Sequence, residues 1–429
     1  MFRLALALVA LVPPYAADIL TVGPAGSGAQ FSQIQAAVDA AHDDDVILVQ
    51  PGDYQDVVVD KPLRILGAGS GSVGVGVLTV RDIGAGRELV LSGVYLFLVL
   101  LQNCPGTVVL QDIDAQTPAS NAVQVENCAR AVLLDSLVIG GVLAQNSTLW
   151  IANADITGGR TSPFGGNGTP GVQVTNSVLH VWRTSVRGGD NRSKICFGVS
   201  VDGGPGILAV GSTVNLFGGP SSLVAGGWGG STGSDLGCSP DPGGPGMKLT
   251  VNSHARIQAA IPIQGGFSGG SSSGVQAPAI VVDGTSSATL DAKVFPTLVS
   301  SARRVQLGSS FTLTLEGNPG SYQVLRQSLR TGPTSTFPGV DGFGLLDREN
   351  LVWIASEVLP PSGTFAFTFG VPSAMSLLGA TLFFQAVAAQ GATPSGAAAQ
   401  RFPNGSGVPS PVTVNRSDIG NPVLIPITP

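Results

Sequence analysis

Apolar and polar residues alternate with a period of two along most of the chain. Around Asn176 the apolar positions are Val172 and Val174 on one side and Leu179 and Val181 on the other. Around Asn252 they are Leu249 and Val251, then Ala255 and Ile257. A period of two sends successive side chains to opposite faces of a strand, so these stretches predict strands, not helices. The exception is residues 31–41, where Phe31, Ile34, Val38 and Ala41 share one helical face, with Ser32 and Gln35 placed as a capping box.

The strands repeat. "QVENCARAVLLDSLVIGG" at 124–141 and "QVTNSVLHVWRTSVRGG" at 173–189 share an Asn, a small residue, an alternating run and a Gly-Gly. Taking Asn or a substituting Gly as the anchor gives Asn103, Asn127, Asn146, Asn176, Gly211, Asn252 and Gly284, with Cys104, Cys128, Ser147, Ser177, Ser212 and Ser253 following the first six. Asn and Gly both tolerate the left-handed backbone region, so each anchor predicts a bend between two strands. Stacked coils of this kind place parallel strands about 4.8 Å apart, with like residues in columns. The Asn column then reads as a ladder of corners, Asn103, Asn127, Asn146, Asn176 and Asn252.

A second recurring element, Gly-Gly at 140–141, 158–159, 188–189, 226–227 and 265–266, ends another strand of each coil. The stretches that follow, 160–170, 190–205, 228–245 and 267–277, are rich in Gly, Ser and Pro and read as surface loops along one side.

The repeat, together with "FSQIQAAVDAAHDDDVILVQPGDYQDVVVDKPLRILGAG" at 31–69, resembles the right-handed parallel β-helix, or pectin-lyase-like, superfamily. The resemblance spans about residues 18–291 and implies an all-β solenoid whose first coil is capped by a short helix. Right-handed coiling also agrees with the handedness of parallel crossovers. Beyond residue 291 the Asn column stops. Alternating strands at 311–317, 322–329, 351–359, 363–371 and 380–390 predict a small C-terminal β-sandwich. The organisation expected is therefore a signal peptide over 1–17, the β-helix with its cap over 18–295, and the sandwich with a tail over 296–429.

Composition narrows the setting. The first residues, "MFRLALALVALVPPYAAD", carry a cation at Arg3, an apolar run and small residues at Ala16 and Ala17, the pattern of a secretory signal. No apolar run reaches the roughly 20 residues that a bilayer requires. A secreted or cell-surface protein without a membrane span is expected. A net charge of −6 gives no broad basic surface for nucleic acid. A secreted setting permits disulfides, so Cys196 and Cys238, in successive loops, are expected to be bonded. Cys104 and Cys128 are placed to stack as neighbours, as a disulfide or as thiols.

The enzymes of the superfamily carry sets of acidic residues with Arg, His or Gln that this sequence does not reproduce; "LQDID" at 110–114 shares only a Gln-Asp pair with the esterases. Alternation leaves a geometric constellation. In the strands before Gly-Gly, Asp112, Asp114, Asp155, Thr157, Ser185 and Arg187 point outward beside the loops. In the superfamily this strand lines the substrate groove, which makes Asp114, Asp155 and Arg187 the candidate catalytic set. The alternative is a plain solvated face. A second outward group, Trp150, His180, Trp182 and Phe217, follows the Asn corner. The rings suit sugar stacking, with Asp112 and Thr157 as further substrate contacts, or else packing beneath a loop or the C-terminal domain. Two functions stay open: a non-catalytic protein that binds extracellular or cell-surface glycan, and a polysaccharide lyase or glycoside hydrolase. No cofactor or metal is expected for the binder; a lyase would bring calcium.

Overall fold

The computed structural model describes residues 18–428 except 118–120, 161–166, 192–201, 231–240, 271–273, 293–294, 329–330, 338–339, 347–351, 374–380 and 391–415. The segment at 1–17 and both Cys196 and Cys238 lie outside the described residues. The chain divides between Lys293 and Val294 into two compact units.

The first unit is a parallel β-helix. One sheet stacks eleven parallel strands from Ile19–Val22 to Ser287–Asp291. A second sheet holds two rows of parallel strands. The loop-side row runs through Asp114–Gln116, Leu137–Gly140, Asp155–Gly158, Ser185–Arg187, Leu223–Ala225 and Ile263–Gln264. The other runs through Val123–Glu126, Val142–Gln145, Val172–Thr175, Ile207–Val210, Met247–Thr250 and Ile280–Val282. The long strand Tyr95–Gln102 pairs with the first member of both rows. Inward residues stack in register, as in the columns Leu89, Val108, Ala131, Leu149, Leu179 and Val214, and Leu96, Ala115, Val138, Ile156, Val186 and Val224, all buried. Each fully buried Val, Leu or Ile contributes about 1.5–3 kcal/mol.

Two left-handed corners bracket the strands Thr107–Gln111, Arg130–Leu134, Thr148–Ala152, Val178–Trp182 and Thr213–Phe217 of the first sheet. At one, Asn103, Asn127, Asn146, Asn176, Gly211 and Asn252 all have φ between 48° and 61°, as the sequence pattern predicts. Asn127 Nδ2 donates to Asn103 Oδ1, and Asn146 Nδ2 to Asn127 Oδ1, each at 3.2 Å. The serine column performs a second task. Ser147, Ser177 and Ser212 hydroxyls donate to the carbonyl two residues back at 2.7–2.8 Å. Each accepts the backbone N–H of the coil before it, from Cys128, Ser147 and Ser177 respectively, at 2.9–3.1 Å. Cys104 and Cys128 occupy the same column as free, buried thiols. One proton leaves that pair more readily than the other: the hydrogen bond from the Cys128 S–H lowers the Cys104 thiol, and that same hydrogen bond, with burial, pushes the Cys128 thiol up.

The seventh anchor, Gly284, is not a left-handed corner. In the last coil Ser286 stands opposite Ser253 and Thr285 opposite Asn252. The bend there is made by Asp283, whose carboxylate accepts Val251 N at 2.7 Å and Thr285 N at 3.0 Å. Those hydrogen bonds, the one from Val251 first, hold its pKa well below the usual carboxylate range. Val251 itself sits at φ 58° and is exposed, so it belongs to the corner and not to the core.

The other corner of the first sheet is a second left-handed column that sequence reading passed over: Gly93, Asp112, Asp135, Asn153, Arg183 and Gly218, with φ of 45–107°. Its next positions repeat the hydroxyl device. Ser136 Oγ accepts Ile113 N at 3.2 Å, and Thr184 Oγ1 accepts Ala154 N at 3.4 Å.

The third corner carries the loops and is built from glycine backbone. The chain leaves through Gly158-Gly159, Gly188-Gly189, Gly226-Gly227 and Gly265-Gly266. It returns through Gly168, Gly203-Gly204, Gly243-Gly244 and Ala277. Outgoing and returning backbones alternate in one unbroken series of N–H to O bonds. Gly189 donates to Thr169, Gly204 to Gly189, Gly227 to Gly204, Gly244 to Gly227, Gly266 to Gly244, and Ala277 to Gly266, all at 2.8–2.9 Å. A Cβ on Gly188, Gly204, Gly227, Gly244 or Gly266 would collide with a neighbouring carbonyl oxygen. A Pro-Gly or Pro-Ala step then opens the next strand, with Gly171 N bonded to Pro205 O and Gly206 N to Pro245 O, each at 3.1 Å.

At the N-terminal end, helix Ile34–Ala40 covers the core with Ile34, Ala37 and Val38, and Ala41 follows on the same face. The expected capping box does not form. The N-cap is Gln33, with no side-chain cap bond. Gln35 instead bonds both backbone groups of Val58, accepting its N–H at 2.7 Å and donating to its carbonyl at 3.2 Å, because an edge strand there offers unpaired polar groups. Lys61 Nζ closes the other end by donating to Val38, Asp39 and Ala41 carbonyls at 2.9–3.1 Å.

The second unit is a β-sandwich. An antiparallel sheet of Thr297–Ser300, Ser310–Glu316 and Thr364–Gly370 shares a core with a larger sheet containing Tyr322–Ser328 and Thr381–Gln390. Phe311, Leu313 and Phe369 from one meet Leu325, Leu382 and Phe384 from the other, with Phe311 and Phe384 centroids 5.8 Å apart.

The corner geometry sets an order among variants. Asn127→Val should lower stability by about 1–3 kcal/mol, because a β-branched residue resists positive φ and ends the amide ladder. Asn127→Gly should cost clearly less. Equal melting temperatures for the two variants in thermal unfolding would contradict the ladder.

Candidate functional site

The outward side chains of the loop-side row form two columns. One reads Tyr95, Asp114, Leu137, Asp155, Ser185 and Leu223; the other reads Gln116, Ile139, Thr157, Arg187 and Ala225. Asp114, Asp155, Thr157 and Arg187 therefore share one face, as alternation predicts. Asp155 is exposed and Asp114 half-buried. Asp114 Oδ1 accepts Gln116 Nε2 at 2.8 Å. Asp114 and Asp155 stand two coils apart, about 10 Å by the strand spacing, with the apolar Leu137 between them.

Arg187 is engaged at the root of the loops. Its guanidinium lies 3.5 Å from Asp190 Oδ1 and 5.3 Å from the centroid of the Trp228 ring. The same Asp190 oxygen accepts Trp228 N at 2.9 Å. Asp190 and Trp228 open successive loops, so Arg187 ties two neighbouring coils together. Asp112 does not join the face. Its φ of 48° makes it a corner residue of the second left-handed column.

The aromatic group is placed differently from its expected role as a sugar platform. Trp150, His180, Trp182 and Phe217 lie on the outer side of the first sheet, in the register alternation predicts. They form a continuous stack: Trp150 to His180 at 4.3 Å, Trp150 to Trp182 at 5.2 Å and 11°, and Trp182 to Phe217 at 5.0 Å. All four are 1% exposed or less. Periodicity tells the inside of a coil from its outside, but not whether the outside is wet; here it is closed, and no glycan reaches these rings.

Sequence reading missed two outward rings, Tyr95 half-buried and Phe97 exposed. Tyr95 and Phe97 lie on the strand that opens the loop-side row, and Phe97 is 50% exposed. The signal was a slip of phase: Leu96 and Val99 both point inward, three residues apart, which throws Phe97 out.

Among the described residues one group of metal-ligand atoms comes together, Asp18, His42 and Asp45, at the N-terminal end. The Asp45 oxygens already accept Asp18 N at 2.8 Å and His42 N at 2.7 Å, so this carboxylate fixes a turn. No helix among the described residues is long and apolar enough to cross a membrane.

No family model matches the sequence, and no curated protein matches it. Among solved structures, the chain is similar to the pectate lyase Pel9A (14% identity, TM-score 0.34, covering 64% of this chain and 78% of that one). It is also similar to the enzymatically active domain of bacteriophage CBA120 tailspike protein 2 (12%, 0.29, 83% and 70%). A third is pectin methylesterase PemA from Erwinia chrysanthemi (15%, 0.23, 63% and 89%). At these identities and scores no role carries over to this chain. The class of protein, a parallel β-helix joined to a β-sandwich, stands on the strand register above.

The buried stack makes a pH prediction. Burial holds the His180 imidazole down at about 3, whereas an unfolded histidine protonates near about 6.5. The folded value is the lower one, so as pH falls below about 6.5 the unfolded chain takes up the proton first and stability is lost. From pH 6.5 to pH 5 the loss from this group should approach about 2 kcal/mol. Chemical denaturation across that window should show the slope in the native protein and a shallower one in His180→Gln; equal slopes would contradict the assignment.

Proposed function

We propose that the protein is a secreted, non-catalytic β-helix protein that holds extracellular or cell-surface polysaccharide along the outer face of the loop-side strands. The observation that carries this reading is the pair of outward columns, in which carboxylates, amides and hydroxyls alternate with Leu137 and Ile139. Such a strip offers hydrogen-bond acceptors for sugar hydroxyls and apolar ground for their C–H faces. Leu137 between Asp114 and Asp155 supports binding over hydrolysis, because a hydrolase of that spacing would need the intervening space for water. The bracing of Arg187 by Asp190 and Trp228 likewise supports a structural task for that cation over neutralising a uronate.

A second reading, a polysaccharide hydrolase, draws on the carboxylate spacing. About 10 Å between strands lies just above the roughly 6.5–9.5 Å found between the carboxyls of inverting glycosidases.

One experiment separates the two. Immobilised acidic and neutral polysaccharides are incubated with the native protein and with the double variant Asp114→Asn, Asp155→Asn, reading retention and new reducing or unsaturated ends. The binder predicts retention without product, weakened about tenfold in the variant. Product formation that disappears in the variant would support the hydrolase. Neither retention nor product on any polysaccharide would remove both.

A further inference from the structure

Next to the loop-side row the first coils contain a feature that the proposed strip does not use. Strand Val73–Arg81 carries glycine at two outward positions, Gly74 and Gly76. Gly74 pairs with Asp53 on one side and with Tyr95 on the other. Gly76 lies opposite Phe97 by the same register, since Val75 pairs with Leu96 and Val77 with Leu98. A Cβ on Gly74 would run into Asp53 Oδ1, and one on Gly76 into Asp56 Oδ1. The missing side chains thus let both carboxylates lie across the strand. Asp56 is fixed there, its Oδ1 accepting Val77 N at 2.8 Å. Beyond the rings the rows continue into Asp114 and Gln116.

The result is a shallow trough: two exposed carboxylates lie over the glycine backbone and form its floor, and two aromatic side chains form one wall. Tyr95 and Phe97 stand on the adjacent strand, one spacing or about 4.8 Å from the strand that the carboxylates cover. Aromatic faces take the C–H side of a sugar. The charge around it has one sign: Asp53, Asp56 and Asp114 surround the rings, and the cation of the same strand, Arg81, lies five residues from Gly76, about 17 Å away. A uronate would meet repulsion here, and an ammonium would be paired.

We infer that this trough is a binding site for a cationic amino-sugar polymer, a chain of hexosamine units with free amines, seated with sugar faces on Tyr95 and Phe97 and ammonium groups toward Asp53 and Asp56. The inference rests on the proposed glycan-binding function and names a site and a ligand class for it.

The test titrates the full chain at pH 6 with a fully deacetylated glucosamine hexamer, its N-acetylated counterpart and a galacturonate oligomer, by calorimetry. The variants are Phe97→Ala, on an exposed position, and the isosteric pair Asp53→Asn with Asp56→Asn, which keeps an acceptor for Val77 N. The expected result is tightest binding of the deacetylated hexamer, weakening with added salt and at least tenfold in each variant. Unchanged affinity in both variants, or binding of galacturonate as tight as that of the deacetylated hexamer, would overturn the trough. If other glycans are retained and depend on Asp114 and Asp155 alone, the trough fails while the proposed function stands. If no glycan of any class is held, both fail.

Discussion

The approach of one peptide backbone to another, with no Cβ between them, governs this β-helix. At the loop corner each coil must send its chain out and bring it back within the rise of a single strand spacing, about 4.8 Å. Two ordinary chains cannot share that space. Glycine at both the outgoing and the returning position lets them hydrogen-bond directly, and the series from Thr169 to Ala277 is continuous. Everything on the loop side depends on it. The loop-side strands end there, the loops open from it, and the Arg187, Asp190 and Trp228 brace is anchored beside it.

The other corners solve a different problem with different chemistry. They need positive φ and a partner for the backbone N–H groups that face the next coil. Asn supplies the first and an amide ladder besides. Serine, one residue on, supplies the second by donating to its own coil and accepting from its neighbour. A buried N–H left without a partner costs about 1–3 kcal/mol, so the hydroxyls of Ser147, Ser177, Ser212 and Ser253 are a large part of what makes this corner repeatable.

The Asn column, the strand period and the capping face of Ile34 and Val38 were legible in the sequence because each is a property of residue type at fixed spacing. The second corner column was not, since Asp112, Asp135, Asn153 and Arg183 share a backbone conformation but no single side-chain chemistry; the following Ser136 and Thr184 were the available clue. Gly-Gly could be recognised as punctuation but not as contact, because the partner of Gly204 is Gly189 of another coil and only stacking brings them together. Likewise Trp182 and Phe97 both lie on the outer side of their strands. One is sealed and the other open, and that difference is set by what lies over each face, which local alternation does not encode.

Replacing Gly227 by Ala and following thermal unfolding, with Gly71→Ala as control, tests the governing constraint most directly. A Cβ at Gly227 would meet the carbonyl oxygen of Gly189, whereas one at Gly71 meets nothing within 4 Å. The glycine packing predicts a loss of about 2–4 kcal/mol for Gly227→Ala, the range of overpacking and lost backbone bonds, and a change within about 0.5 kcal/mol for the control. Equal stability of the two variants would contradict it.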